Sequence, residues 1–266
     1  MTPASIRPDA FDRRELAGPF DIVGDVHGCC DELEELLALL GYEVAWGADR
    51  SVVVTPPVGR MLVFVGDLVD RGPRSPDVLR IALGMGEAGA GLCVDGNHDN
   101  KFSRWINGAN VKAAHGLQAS IDQMAEEDPA FRARVRKYVG GLPIYLWLDG
   151  GRLVVAHAGL KDEMIGKDGG KVKSFALYGE TTGETDGFGS PVRRNWALQH
   201  TGETAIVYGH VAAAEVQAVN NTWCIDTGCC FGGRLTALRW PERELVSVPA
   251  RKVWFEGSRP LADRMR

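Results

Sequence analysis

The sequence predicts an α/β fold, and three observations support this class. Short apolar runs typical of strands alternate with helical patterns along the 266 residues. No internal repeat interrupts the alternation, and the hydrophobic fraction of 45% and charged fraction of 24% are ordinary for a globular chain. The length lies near the upper limit for one hydrophobic core. We therefore predict a single domain over residues 1–266.

The chain opens with a strand and a helix. FDIV, residues 20–23, is a short apolar run. The segment after it has the i, i+3, i+4, i+7 spacing of one apolar helix face, at Leu33, Leu36, Leu37 and Leu40. Asp31 and Glu34 have the spacing of a capping box, and Gly41 is the expected helix stop. This pattern predicts a helix that covers one face of a sheet.

Further strands and a second helix follow. SVVVT at residues 51–55 and MLVFV at residues 61–65 are predicted strands, and GLCV at residues 91–94 is a predicted buried strand. Ser75 followed by Pro76 predicts the start of a helix. Its inner stripe consists of Val78, Ile81, Ala82 and Met85.

The second half of the chain divides into a helical part and a β-rich part. Residues from about 100 to 140 have two apolar helical stripes and predict a helical insertion. After Pro143 the runs IYLWL, RLVVA, AIVY, VQAV, WCID, LTAL and LVSV predict strands separated by turns. From about residue 249 to 266 the sequence is rich in proline and arginine, which predicts an irregular tail.

Polar clusters follow five of the predicted strands. They are GDVHG (24–28), GDLVDRG (66–72), GNHD (96–99), HAG (157–159) and YGH (208–210). Ligands of α/β sheets collect at the carboxyl ends of strands. The candidate metal donors in these clusters are Asp25, His27, Asp67, Asn97, His157 and His210. Alone, each would be a helix cap or an ordinary histidine, but oxygen and imidazole donors in this arrangement suit two divalent ions such as Mn²⁺, Fe²⁺, Ni²⁺ or Zn²⁺.

The five clusters resemble the signature blocks of the calcineurin-like metallophosphoesterases, in the phosphoprotein phosphatase branch. The resemblance spans residues 24–210 and implies two packed mixed β-sheets flanked by helices. It implies a first ion held by Asp25, His27 and Asp67. It implies a second ion held by Asp67, which bridges, with Asn97, His157 and His210.

The same resemblance implies roles in catalysis. His98 would be the general acid, held by Asp70, and Arg71 would grip a phosphate oxygen. The reaction would be hydrolysis of a phosphate ester by attack of a metal-bound hydroxide. Two divalent ions are the implied cofactors, and among the candidates we favour Mn²⁺.

Two later segments narrow the resemblance. Residues 175–197 and 220–248 are similar to the phosphatase module of bacterial polynucleotide kinase-phosphatases and to bacterial bis(5'-nucleosyl)-tetraphosphatases. By this likeness Arg193 is a second residue that grips phosphate, and Asp226 supports the metal shell. A solvated arginine and a turn-forming aspartate are the alternatives. No G-x-x-x-x-G-K-[ST] loop occurs in the sequence, so we expect a phosphatase without the kinase half.

The expected substrates are phosphate esters of nucleotides or RNA ends, or dinucleoside polyphosphates. A Ser/Thr or Tyr protein phosphatase is the alternative enzyme, although GNHD departs from the eukaryotic protein Ser/Thr phosphatases, which have Glu after this His. A catalytically inactive, metal-stabilised binding module is the alternative outside the enzymes. An assay of p-nitrophenyl phosphate hydrolysis distinguishes an active enzyme from an inactive binding module.

Charge and composition limit the other partners. A net charge of -5 gives no overall basic footprint for nucleic acid, so any such contact must be local. The candidate patch is Arg132, Arg134, Arg136 and Lys137 with Arg251, Lys252 and Arg259, for which a solvated surface is the favoured interpretation. The six cysteines show no disulfide framework, and the N-terminus lacks the apolar core of a secretory signal. We expect a cytoplasmic protein without a membrane partner, and the oligomeric state stays open.

Overall fold

The computed structural model describes residues 11–189, 191–257 and 261. The strands are β1 (Phe20–Val23), β2 (Glu43–Trp46), β3 (Val52–Thr55), β4 (Met61–Phe64), β5 (Gly91–Cys93), β6 (Tyr145–Leu148), β7 (Leu153–Ala156), β8 (Thr181–Thr185), β9 (Pro191–Arg193), β10 (Ala205–Tyr208), β11 (Gln217–Val219), β12 (Thr222–Cys224), β13 (Arg234–Trp240) and β14 (Glu244–Pro249). The α-helices are α1 (Cys30–Leu40), α2 (Ser75–Glu87), α3 (Asn97–Ile106), α4 (Leu117–Ala125), α5 (Pro129–Gly140) and α6 (Gly170–Tyr178).

Two five-stranded mixed sheets form the centre of the molecule. The first has the order β14-β13-β1-β4-β5, in which β1, β4 and β5 run parallel. The second has the order β11-β12-β10-β7-β6, in which β12, β10 and β7 run parallel. This arrangement confirms the predicted α/β fold with packed mixed sheets.

Both faces of the first sheet are buried, because successive apolar residues of its strands point to opposite faces. Ile22 and Val63 pack in a cluster with Leu146 and Val155 of the second sheet. Val23 and Phe64, one position further along the strands, pack instead in a cluster with the leucines of α1. Alternate residues of a strand point to opposite faces, so one face of the first sheet meets the second sheet and the other meets the helices.

The structure confirms the apolar leucine stripe predicted for α1 but not the predicted capping box. Leu33, Leu36, Leu37 and Leu40 are all buried, and Gly41 ends the helix with φ 91°. The capping-box interpretation is wrong, because α1 begins after Cys29 without a side-chain cap. Asp31 and Glu34 instead form ion pairs with Arg74, which precedes α2. An arginine that binds carboxylates makes charge-assisted contacts, which are stronger than a neutral cap.

Several elements were not predicted. Strand β2 pairs with β3, and β8 pairs with β9 in a hairpin whose first strand, TTGET, is exposed throughout and shows no apolar alternation. Helix α6 begins at Gly170, directly after Gly169, and the first helix in the region of the predicted insertion begins at Asn97.

After β14 the structure describes the chain as far as residue 257 and at residue 261, and the irregular tail stays a prediction. Between β14 and residue 257, the only β-pairing is an isolated bridge from Val253 to Phe231. Arg259 lies outside the described residues. The assignment of residues 1–266 to a single domain stays a prediction. Among the described residues, no helix combines the length and apolarity that crossing a membrane requires.

Asp162 forms hydrogen bonds with the loop that follows the 3-10 helix Trp196–Gln199. Its carboxylate accepts hydrogen bonds from His200 Nδ1 at 2.5 Å and from the amides of Thr201 and Gly202, each at 3.1 Å. Burial alone would raise the pKa of Asp162, but these donors outweigh it and the pKa is lowered. The contact therefore stabilises the ionised carboxylate.

We expect the Asp162→Asn variant to lose about 1.5 to 3 kcal/mol of unfolding free energy at pH 7, the range for hydrogen bonds to charged groups. The unfolded pKa is about 3.9, and the folded pKa is lower, so this stability is present above about pH 4 and lost as the pH falls through the folded pKa. Urea unfolding at pH 7 and pH 3 measures the difference, with the exposed Asp122→Asn as control. A penalty unchanged at pH 3 would contradict this assignment.

Candidate metal centre

The predicted donors meet at one edge of the two packed sheets. The parallel strands β1, β4 and β5 of the first sheet and β7 and β10 of the second end at this edge. The loops after these strands bring together Asp25, His27, Asp67, Asn97, His157 and His210. The backbone there is constrained: His27, Asp67, Asp70, Arg71 and His210 all have positive φ, between 46° and 73°. Such conformations are uncommon for residues other than glycine and cluster at functional sites.

The first group of donors consists of His27, Asp67 and His98. His27 Nδ1 lies 2.8 Å from the Val69 carbonyl oxygen, to which it donates. This tautomer leaves Nε2 unprotonated, so that its lone pair faces Arg71 Nη1 at 2.5 Å, and Nε2 lies 3.4 Å from Asp67 Oδ2. Burial, followed by the charge of Arg71, holds the pKa of His27 well below its usual value, so the ring is neutral and can bind a cation.

The second group consists of Asp67, His157 and His210. His157 Nδ1 donates to the Val65 carbonyl oxygen at 3.1 Å, which directs Nε2 to a point 3.5 Å from Asp67 Oδ1. The same Nε2 lies 2.9 Å from Asn97 Oδ1 and 3.0 Å from His210 Nδ1. His210 Nε2 is buried and has no hydrogen-bond partner among the described residues. Asp67 thus belongs to both groups, with one oxygen toward each.

Negative charge crowds the same position. Asp25 accepts the His210 amide at 3.1 and 3.3 Å. Burial, then the charges of Asp226 and Asp67, raise the pKa of Asp25, and burial also raises the pKa of Asp67. Buried carboxylates and lone pairs that converge without matching donors need positive charge between them. The donor set therefore fits two divalent cations.

His98 is held beside the donors by a hydrogen-bonded chain. Its Nδ1 donates to Asp70 Oδ2 at 2.6 Å, and the Ser120 hydroxyl donates to Asp70 Oδ1 at 2.8 Å. Burial raises the pKa of Asp70 to about 7. Ser120 lies on α4, so the helical insertion contributes to the site, a link that the sequence did not reveal.

Arg71 covers the first group. Its Nη1 lies 2.5 Å from His27 Nε2, and its Nη2 lies 2.8 Å from His98 Nε2. The guanidinium also lies 5.0 Å from the ring centroid of Phe231 and 5.8 Å from that of Phe255. A guanidinium held this way between aromatic rings and the donors can present a planar fork to a phosphate.

The two remaining predicted residues differ in their placement. Arg193 on β9 lines the same cavity, of about 720 Å³, as Asp67, Arg71 and His98, and its guanidinium donates to the Tyr178 carbonyl oxygen. Asp226 accepts the Gly228 amide at 3.0 Å, the contact of a turn-forming aspartate. Asp226 also lies close enough to Asp25 to raise its pKa.

Gly209, between β10 and His210, is a further residue on which the site depends. A Cβ atom there would lie 1.9 Å from Asp25 Oδ1. We expect Gly209→Ala to displace Asp25 and to weaken metal binding by about 10- to 100-fold, the usual cost of disturbing the surroundings of a metal ligand. The Mn²⁺ concentration that gives half-maximal activity measures this. Gly170→Ala, where a Cβ meets nothing within 4 Å, is the control. Equal Mn²⁺ dependence of wild type and Gly209→Ala would refute the expectation.

Comparison with known proteins finds similarity along most of the chain. The family model described as calcineurin-like phosphoesterase matches residues 18–214. A protein of Anoxybacillus flavithermus named bis(5'-nucleosyl)-tetraphosphatase PrpE, asymmetrical, is 46% identical over 235 residues, 87% of this chain and 94% of the relative. A protein of the same name from Bacillus velezensis is 47% identical over 254 residues, 93% and 98% of the two chains. A crystal structure described as a proposed diadenosine tetraphosphatase superposes with a TM-score of 0.64 at 29% identity, covering 90% of this chain and 96% of the other.

Proposed function

The chain belongs to the calcineurin-like phosphoesterase family, and from this premise we propose that it hydrolyses dinucleoside tetraphosphates asymmetrically. Membership makes the protein a metal-dependent phosphoester hydrolase. In the proposed reaction one water molecule cleaves one phosphoanhydride bond and yields a nucleoside triphosphate and a nucleoside monophosphate. The names of the relatives that match most of the chain support this substrate class.

The observation that carries the proposal is the position of Asp67 between two groups of histidines. We assign Asp25, His27 and Asp67 to one divalent ion. We assign Asp67, Asn97, His157 and His210 to the other. Two ions held by these residues would lower the pKa of water and stabilise the charge on phosphate oxygens. We propose Mn²⁺ as the metal; oxygen and imidazole donors without thiolate suit it, as they suit Fe²⁺, Ni²⁺ and Zn²⁺.

The arginines bind the phosphate that is attacked. Arg71 and Arg193 line the cavity that contains Asp67, and both can turn guanidinium N–H groups toward it. Charge-assisted forks of this kind bind phosphate oxygens and stabilise the charge that they carry in the transition state. Asp226 fixes the turn beside Asp25 and so would support the carboxylate that we assign to the first ion.

His98 donates a proton to the leaving oxygen. Its Nε2 faces the same cavity while Asp70 holds Nδ1, which sets the orientation of the ring. A carboxylate bonded to Nδ1 favours the charged imidazolium, whereas burial and then the charge of Arg71 hold the pKa of His98 well below its usual value. The acid form therefore requires Arg71 to leave Nε2. Arg71 now lies 2.8 Å from Nε2 and would turn toward phosphate when substrate binds.

The test is a panel of substrates at one Mn²⁺ concentration: diadenosine tetraphosphate, RNA with a terminal phosphate, a phosphoserine peptide and p-nitrophenyl phosphate. We expect kcat/KM for the dinucleotide to exceed that for the phosphopeptide by about 10²-fold or more, because a site built for one substrate class rejects others that leave its polar groups unpaired. Chromatography should show ATP and AMP. Two ADP molecules would disprove the asymmetrical cleavage, and a preference for the phosphopeptide would support a protein phosphatase.

The remaining assignments belong to the same proposal. We place the protein in the cytoplasm, where nucleotides are the available substrates. On α5, Arg134 forms an ion pair with Glu87, and Arg136 and Lys137 are exposed. These features support a solvated helix surface there rather than a nucleic-acid contact.

A further inference from the structure

A second cleft opens beside the cavity of the metal centre. It has a volume of about 410 Å³ and is lined by α3, by the loop that follows α3 and by Tyr178 at the end of α6. The cleft and the cavity share Asn97, Lys101 and His115, so one leads into the other. A molecule bound at the metal centre can therefore extend into the cleft.

The lining of this cleft is cationic. Lys101, Arg104 and Lys112 all contribute to it, and among the described residues no carboxylate does. The side chains of Arg104 and Lys112 make no hydrogen bond or ion pair within the described part of the chain. Arg80, by contrast, forms ion pairs with Asp77 and Glu127. The unpaired charges of the cleft thus lie where an anion can reach them.

The cations of the cleft are close enough to affect one another. Burial lowers the pKa of His115, and the charges of Lys101, Arg71 and Lys112 lower it further. Lys101 Nζ donates to the Ala114 carbonyl oxygen at 2.8 Å, which ties the loop to α3. The positive potential therefore continues from Arg71 at the metal centre into the cleft.

We propose that this cleft binds the phosphates and the terminal nucleoside that lie beyond the attacked phosphorus of a dinucleoside polyphosphate. The proposal rests on the proposed function. Arg104 and Lys112 contact the distal phosphates, and the ring of Tyr178, which is 46% exposed, stacks on the base. A volume of about 410 Å³ suits a small-molecule ligand rather than a long strand.

The test compares substrates that do and do not reach the cleft. In the double variant Arg104→Ala, Lys112→Ala, we expect KM for diadenosine tetraphosphate to rise about tenfold or more, the effect of losing about 1.4 kcal/mol of binding. The kcat for this substrate and both constants for p-nitrophenyl phosphate should stay unchanged. Arg136→Ala, an exposed cation on α5, is the control. Tyr178→Ala should also raise KM, and Tyr178→Phe should restore it.

A second measurement separates failure of the cleft from failure of the proposed function. Inorganic tripolyphosphate should inhibit p-nitrophenyl phosphate hydrolysis, with free Mn²⁺ held constant, and its inhibition constant should rise about tenfold in the double variant. That rise supports the cleft even if the wild type does not cleave diadenosine tetraphosphate, a failure that counts against the proposed function alone. If KM and the inhibition constant are unchanged in the double variant, the proposal that the cleft binds substrate is wrong. It is also wrong if activity on p-nitrophenyl phosphate falls by the same factor. A loss confined to phosphorylated RNA would overturn it in favour of a nucleic-acid site.

Discussion

The Asp67→Ala variant is expected to lose hydrolysis of every substrate by about 10³-fold or more. Asp67 Oδ2 lies 3.4 Å from His27 Nε2, and Oδ1 lies 3.5 Å from His157 Nε2, so one substitution removes a donor from both groups. Two cations supply several kcal/mol of charge stabilisation in the transition state, and each loss of about 1.4 kcal/mol costs a factor of ten in rate. Initial rates with saturating Mn²⁺ measure the effect.

Thermal unfolding gives a readout of the same site that is independent of activity. Mn²⁺ at about 100 times its dissociation constant should stabilise the wild type by about 2.7 kcal/mol. For a chain of this length that raises Tm by about 5 to 10 °C. Chelator should reverse the shift, and Asp67→Ala should show little of it. The exposed Asp122→Ala should behave as the wild type does. If verified metal-free wild type turned over at full rate, or if Asp67→Ala kept the full Mn²⁺ shift, the two-metal assignment would be wrong.

The sequence predicted the elements whose patterns reflect burial. The leucine stripe of α1 follows from helical periodicity, and the strands that carry the site are short apolar runs followed directly by glycine and polar residues. Because β1, β4 and β5 are parallel, polar residues after each strand must reach the same edge of the sheet. The meeting of the donor-bearing loops could therefore be inferred without coordinates, but their distances could not.

The remaining features depend on contacts between distant residues. Ser120 binds Asp70 across fifty positions of sequence, and nothing local distinguishes this serine from any other on a helix. The predicted capping box on α1 failed because Arg74 competes for the same carboxylates. Strand β8 of the β8–β9 hairpin has no buried face, so its sequence lacks the apolar alternation that would predict a strand. The cationic cleft depends on how α3 and its loop pack, which charge spacing alone does not show.

His98→Ala is expected to affect substrates according to their leaving groups. General acid catalysis is worth about 10²- to 10⁴-fold when the leaving oxygen is strongly basic. Hydrolysis of a ribonucleoside monophosphate, which releases an alkoxide, should therefore fall by this amount. p-Nitrophenolate departs without a proton, so p-nitrophenyl phosphate should be largely spared. Diadenosine tetraphosphate, whose leaving oxygen belongs to a phosphate, should show a smaller loss than the monophosphate.

The comparison must separate the acid role from a ligand role, because His98 also lies with His27 and Asp67 in one group of metal donors. His157→Ala should damage all substrates together, since it weakens the metal site itself. Asp70→Asn, which removes the charge that faces Nδ1 at 2.6 Å, should reproduce the leaving-group pattern of His98→Ala in weaker form. Metal content has to be matched by elemental analysis, and single-turnover rates are needed because slow product release can hide a chemical defect. Equal losses on all substrates at matched metal content would remove His98 from the acid role, whereas a loss that grows with the basicity of the leaving oxygen in His98→Ala, and not in His157→Ala, would support it.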